Sequence, residues 1–378
     1  MGGRAAGFLS GLLCAAAVLL VLTLLCVPVQ AAEAWDDVQS DTDTALWDLL
    51  PDDTRALLAQ IGVAGTDAAG FAALTPGRVL QLLLTLAESG GAEAVRTGAS
   101  LLGVLLLMAL VGCVMDGGTA QTPITLTGTL LCAVLLLRPL SALMQAVTEA
   151  LTASCAFQMS FVPIFASILT VSGQAVTAGK YTALTVAAAQ TGSVLTHAVV
   201  LPLLKMSAAL SVTGAAAPTV RVDGLGALIQ KGLTNLLGLL MTVFLAVLSL
   251  QGVTGAAADS LTDKAAQFVL SSAVPVVGAA LSQAYASARG YLQGIKSGAG
   301  AFGILAACAL LLPQVVELLV WRLVLALCAE AGTVLGQAPL AELIRRFHAA
   351  LGVLLGVLLC GGLMTVVSVG VMLMIRAG

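Results

Sequence analysis

The chain has 378 residues, of which 59% are apolar and only 9% charged, with a mean hydropathy of +1.06. A water-soluble domain carries roughly 25% charged residues because its surface needs them, so a soluble enzyme is close to excluded. Disorder is excluded as well, since it requires low hydropathy and high charge. The apolar stretches are continuous rather than alternating, which predicts an all-α, polytopic helical membrane protein.

Residues 1–34 have the form of a secretory signal peptide. Arg4 is the positive start, Phe8 to Val27 is the apolar core, and Val29-Gln30-Ala31 and Ala32-Glu33-Ala34 are small-residue cleavage sites. The apolar run is long for a signal, so an uncleaved anchor stays open. Either way, the segment that follows is placed outside the cytoplasm. Residues 35–97 are the acidic, extracytoplasmic part. From Glu33 to Arg96 there are eleven acids and three basic residues, against eight acids and twelve basic residues from 98 to 378. Leu57, Leu58 and Ile61 mark a short amphipathic helix. Thr75-Pro76 is a cap and first residue for another, with Val79, Leu82, Leu83 and Leu86 on one face. So short a segment makes a poor core of its own. Its helices are expected to rest on the membrane domain or on a partner.

Residues 98–378 form the helical membrane domain. About seven spans are predicted, at 98–115, 122–137, 157–176, 182–204, 234–253, 300–320 and 349–375, with 271–286 and 322–336 as shorter pieces. Amphipathic helices lie between them. Their apolar stripes are Leu140, Leu143, Met144, Val147 and Leu151; Leu261, Ala265, Phe268 and Val269; and Leu340, Leu343, Ile344, Phe347 and Leu351. Such helices either lie in the plane of the membrane surface or line an aqueous path. Basic residues are spread over nearly every connection, so the positive-inside rule does not orient the chain.

Little in the chain carries chemistry. The eight cysteines show no CxxC and no Cys/His cluster, and read as small buried hydrophobes. His197 and His348 stand far apart, without a catalytic or metal-ligand spacing around either. No catalytic, cofactor or metal site is expected. Glu317, within Pro313-Gln314-Val315-Val316-Glu317, is an ionisable group in an apolar run and so a candidate for a hydrated path or a buried contact. An ion pair with Arg322, or a place near a span end, would explain it structurally, and Glu330 poses the same choice. Pro163, Pro202 and Pro275, with Gly173, Gly278, Gly298 and Gly300, point to discontinuous helices of the kind found in transporters, channels and export gates.

The order of these features resembles the stage III sporulation protein AE family. Leu250-Gln251-Gly252 followed by Asp259-Ser260-Leu261 and Lys264 carries the likeness. So do Ser272-Ala273-Val274-Pro275-Val276-Val277-Gly278 and Ile295-Lys296-Ser297-Gly298-Ala299-Gly300-Ala301, and more loosely Val162-Pro163 to Gly173. The resemblance implies a non-enzymatic, multi-pass component of the mother-cell membrane around the forespore. It would work in a sporulation-specific secretion channel with the other operon proteins, AA to AH, and indirectly with stage II sporulation protein Q. No nucleic acid and no cofactor is implied. Pro163, Gly173, Pro275, Gly278, Lys296, Gly298, Gly300, Pro313 and Glu317 are the candidate gate or docking residues. A self-contained secondary transporter of a small solute and a scaffold that recruits ring proteins remain as alternatives.

Overall fold

The structure, a computed structural model, describes residues 47–60, 63, 76–114, 121–171, 175–216, 224–244, 246–247 and 278–374. The predicted signal peptide, the amphipathic stretch at 257–270, Gly173 and Pro275 lie outside the described residues. Among the described residues there is no strand. The helices are α1 (Asp52–Gln60), α2 (Pro76–Val114), α3 (Gln121–Val171), α4 (Ala175–Leu195), α5 (Leu201–Ala216), α6 (Gly224–Phe244), α7 (Gly278–Val334) and α8 (Ala338–Met374). A π turn, Thr196–Val200, joins α4 to α5 without a break.

Six of these helical stretches are long and apolar enough to cross a membrane. About seven were expected, and the difference lies in α3. The stretches 122–137 and 157–176 were read as two spans, but 122–137 and the described part of the second share one helix of 51 residues. The amphipathic turns between them keep it continuous, because their apolar stripe is bound to protein. Leu140, Leu143, Met144, Val147 and Leu151 are all buried. The matching stripe at the start of α8, Leu340, Leu343, Ile344, Phe347 and Leu351, is buried too. Both amphipathic stretches are therefore parts of long helices packed against the bundle.

The prolines described in the long helices are absorbed inside them. Pro139 and Pro163 lie within α3 and Pro313 within α7. Pro202 has no N–H to give the preceding turn, and its ring crowds the carbonyl four residues back. The chain meets this with the π turn just before it, where the Leu201 N–H bonds to the Thr196 carbonyl oxygen five residues back.

α7 and α8 form an antiparallel hairpin that is the most extensive contact in the bundle. Its turn is a Schellman motif. The Gln337 N–H bonds to the Gly332 oxygen at 2.9 Å, the Gly336 N–H to the Thr333 oxygen at 3.2 Å, and Gly336 takes the left-handed conformation at φ 72°. α2 runs alongside α7 in the same direction. Gly90 lies at Glu317, Gly98 at Val324 and Leu105 at Gly332. α3 returns antiparallel to α2, with Gly128 against Met108, and continues upward with Phe161 against Gly303 of α7 and Leu151 against Gly361 of α8. α1 packs against α7, where the Trp47 ring, just ahead of α1, meets Phe302 with centroids 6.1 Å apart. The acidic segment thus does rest on the bundle, through the buried side chains of Leu50, Leu58 and Val63.

A Cβ at Gly336 would sit in a left-handed backbone, which disfavours L-residues by about 1 kcal/mol. Thermal unfolding in detergent is expected to show Gly336→Ala destabilised by about that amount. Gly103→Ala, in open space on α2, is expected to be neutral or slightly stabilising.

Candidate functional site

A buried polar grouping lies where α3, α4, the π turn, α6 and α8 converge. Ser154 and Gln158 project from α3 one turn apart and meet Thr365 of α8. Ser154 Oγ lies 3.3 Å from Thr365 Oγ1, the Gln158 amide Nε2 also reaches that hydroxyl, and Thr365 donates back to the Gly361 oxygen at 3.1 Å. All three side chains are buried. Beside them is a cavity of about 50 Å³, with room for a few waters, bordered by Cys155, Ser193, Thr196 and Cys360. His197, on the π turn, reaches its edge and is exposed. The Cys155 thiol is satisfied by the Ala189 carbonyl of α4 at 3.6 Å. Further along α4, Tyr181 Oη and Thr185 Oγ1 are buried without a hydrogen-bond partner among the described residues.

A second cavity, of about 270 Å³, lies between α5, α6 and α8 nearer the α7–α8 turn. Ser211, Gln230, Glu342, Arg345 and Arg346 border it. Its charges are paired: Arg345 with Glu330 at 3.6 Å and Glu342 at 3.8 Å, and Arg346 with Glu342 at 3.4 Å. Both cavities are walled by α6 and α8. Buried Leu233 of α6 and Val353 of α8 occupy the levels between them.

Glu317 stands elsewhere. It is half-buried, packs on Gly90 of α2, and has Glu93 within electrostatic reach. It has no ion-pair partner among the described residues. Arg322 instead lies against Gly352 of α8, whose Cβ would stand 3.6 Å from the guanidinium carbon, and next to His348. Glu330 does find an ion pair, in the hairpin. Of the other candidates, Pro313 is one turn before Glu317 and half-buried, Gly300 is buried, and Pro163 is on the exposed side of α3. Gly278 opens α7, and Lys296 and Gly298 lie in its first half. The fold brings the 161–163 turn of α3 near the 300–303 turn of α7, while Pro313 and Glu317 lie further along α7, with Glu317 beside Gly90 of α2.

The polar grouping was not foreseen from sequence. Ser154 and Gln158 have helical spacing, but the Thr365 they meet is more than 200 residues away. Among the described residues no cluster of His, Cys, Asp and Glu could hold a metal ion.

Long apolar helices, a buried polar centre and in-line cavities define a polytopic helical membrane protein. The chain matches the family described as stage III sporulation protein AE over residues 83–376, and it belongs to that family. It is 30% identical over 131 residues to the stage III sporulation protein AE of Bacillus subtilis (strain 168), a match covering 35% of this chain and 33% of that protein. No solved structure matches.

Removing Thr365 should leave the Gln158 amide buried without this partner, at about 1–3 kcal/mol, whereas removing Gln158 leaves the Thr365 hydroxyl with Ser154 and the Gly361 oxygen and should cost less. Thr365→Val and Gln158→Leu are each expected to lower stability in detergent. The double variant should recover part of the loss, giving a coupling of about 1 kcal/mol in a double-mutant cycle.

Proposed function

We propose that the chain is a non-enzymatic integral membrane component of a sporulation-specific transport channel between mother cell and forespore. It acts in the mother-cell membrane with the other stage III operon proteins and, through them, with stage II sporulation protein Q. Family membership supports the sporulation setting. The observation that carries the transport reading is the pair of cavities in line along α6 and α8, one at the Ser154–Gln158–Thr365 centre and one among the paired charges of α8. A π turn borders the first, and such turns recur at functional sites. The alternative is a self-contained transporter. The cavity at the polar centre has space for only a few waters, but the second, of about 270 Å³, has room for a small solute, so the sporulation setting of the family and not cavity size favours the apparatus.

Ser193→Leu would fill the first cavity from the half-buried side of α4. In a strain depending on this chain, heat-resistant spores are expected to fall at least tenfold with the protein level unchanged. The wild-type chain reconstituted alone is expected to move no small solute. Normal sporulation with the filled cavity would remove the role given to it, and solute uptake by the chain alone would favour the carrier.

A further inference from the structure

The contacts between helices fix which residues share a height in the bundle. Gly98 of α2 is level with Val324 of α7, and Arg322, two residues before, is level with Gly352 of α8. On α3, Gly128 is level with Met108 of α2, so by the antiparallel run of the two helices Arg138, ten residues later on α3, is level with Gly98, ten residues earlier on α2. On α6, Leu237 lies at Gly356 of α8, and Gly226 lies at Ser207 and Ser211 of α5. By this register Arg96, Arg138, Lys205 and Lys231 stand at about one height on four helices. All four are exposed, and none forms an ion pair among the described residues.

The outward faces change character at that ring. Between it and the α7–α8 turn they are leucine-rich, with Leu106 at 58% and Leu110 at 61% exposure on α2, and Leu130 at 42% and Val134 at 66% on α3, the exposed charges there among the described residues being Glu330 and Glu342, which pair with Arg345 and Arg346. On the other side they are mostly polar or small, with single large apolar side chains exposed among them, such as Leu80 and Leu84 on α2, Met159 on α3 and Val194 on α4. The exposed positions there include Gln145, Glu149, Ser160 and Ser167 on α3, and Ala187 and Gln190 on α4. From the residue after Arg96 to the end of α2 is about 27 Å of helix, close to the hydrocarbon thickness of a bilayer.

We infer that the bilayer covers only the half of this bundle next to the α7–α8 turn. The phosphates of one leaflet meet the ring of Arg96, Arg138, Lys205 and Lys231, acyl chains cover the leucine-faced turns beneath it, and the half that carries α1 stands in water. Long basic side chains at such a boundary direct their charge to the headgroups. The inference rests on the membrane reading of the fold and not on the channel proposal.

A lysine placed in hydrocarbon costs enough to lower insertion by one to two orders of magnitude. In the full-length chain expressed in its membrane, Leu106→Lys and Leu130→Lys are expected to reduce inserted protein at least tenfold. Ser160→Lys and Ala187→Lys should leave it within twofold. Depth is read independently from nitroxide labels on Leu106→Cys, Leu130→Cys, Ser160→Cys and Ala187→Cys. These are made in a functional background lacking native cysteines and reconstituted in phosphatidylcholine–phosphatidylglycerol vesicles. Labels at 106 and 130 should collide mainly with oxygen, and labels at 160 and 187 mainly with a water-soluble nickel complex. Oxygen-dominated collisions at 160 and 187 would overturn the half-covered placement while leaving the channel proposal intact. Nickel-dominated collisions at all four would overturn the placement and the membrane reading together.

Discussion

An outward-facing side chain has to suit the medium it meets, and in hydrocarbon every backbone N–H and C=O must also be satisfied within the protein. Continuous helices meet the second demand for this whole chain. The first is met differently along its length. α7 and α8 lie at the centre, in contact with most other helices, and are the most buried of the membrane-length helices, with only some positions such as Leu323 and Leu327 facing outward. Their hydropathy therefore says little about lipid. The outer helices α2, α3 and α4 report the medium, since one side of each is free of the bundle.

Packing inside the bundle follows from the same division. Where lipid surrounds helices, burying one apolar surface against another gains little over leaving it in acyl chains, and close approach through small residues becomes the main source of cohesion. The α2–α7 contact has this form. A Cβ at Gly98 would collide with Val324, and the Cys328 thiol bonds to the Gly98 oxygen at 3.6 Å. Further from the α7–α8 turn the contacts are bulkier. Phe157, Phe161 and Phe165 stack along α3 at 5.2 and 5.6 Å between centroids, and the Phe161 ring fills the space that Gly303 leaves open.

Much of this was legible in the sequence because it is local. The stripe from Leu140 to Leu151 and the stripe from Leu340 to Leu351 have the spacing of a helix face, and both are buried as that spacing requires. The short acidic helix with Leu58 on its inner side was legible for the same reason. The continuity of α3 was not. Proline at 139 and at 163 ordinarily marks a boundary, yet the packed stripe between them holds the helix together. The polar centre was hidden for a different cause. Ser and Thr recur throughout an apolar chain and usually bond to their own preceding turn, as Thr148 and Thr196 do here. Only the fold separates Ser154, Gln158 and Thr365 from that background. Glu317 drew notice as a charge within a run of apolar residues, but its level is that of Gly90 and Glu93, where α2 is already polar on its outer side.

The two cavities follow from how α6 is placed. This helix is mostly exposed and touches the bundle along one narrow line, with Leu233 and Phe244 buried and Leu237 and Leu240 partly so. A helix held so lightly leaves space on either side of its contact points. Leu233 lies between the charged cavity at Arg345 and Arg346 and the polar one at Thr365, at about the height of the basic ring. The level between the two cavities is occupied by the buried side chains of Leu233 and Val353, so that dispersion contacts alone hold this lightly packed helix there.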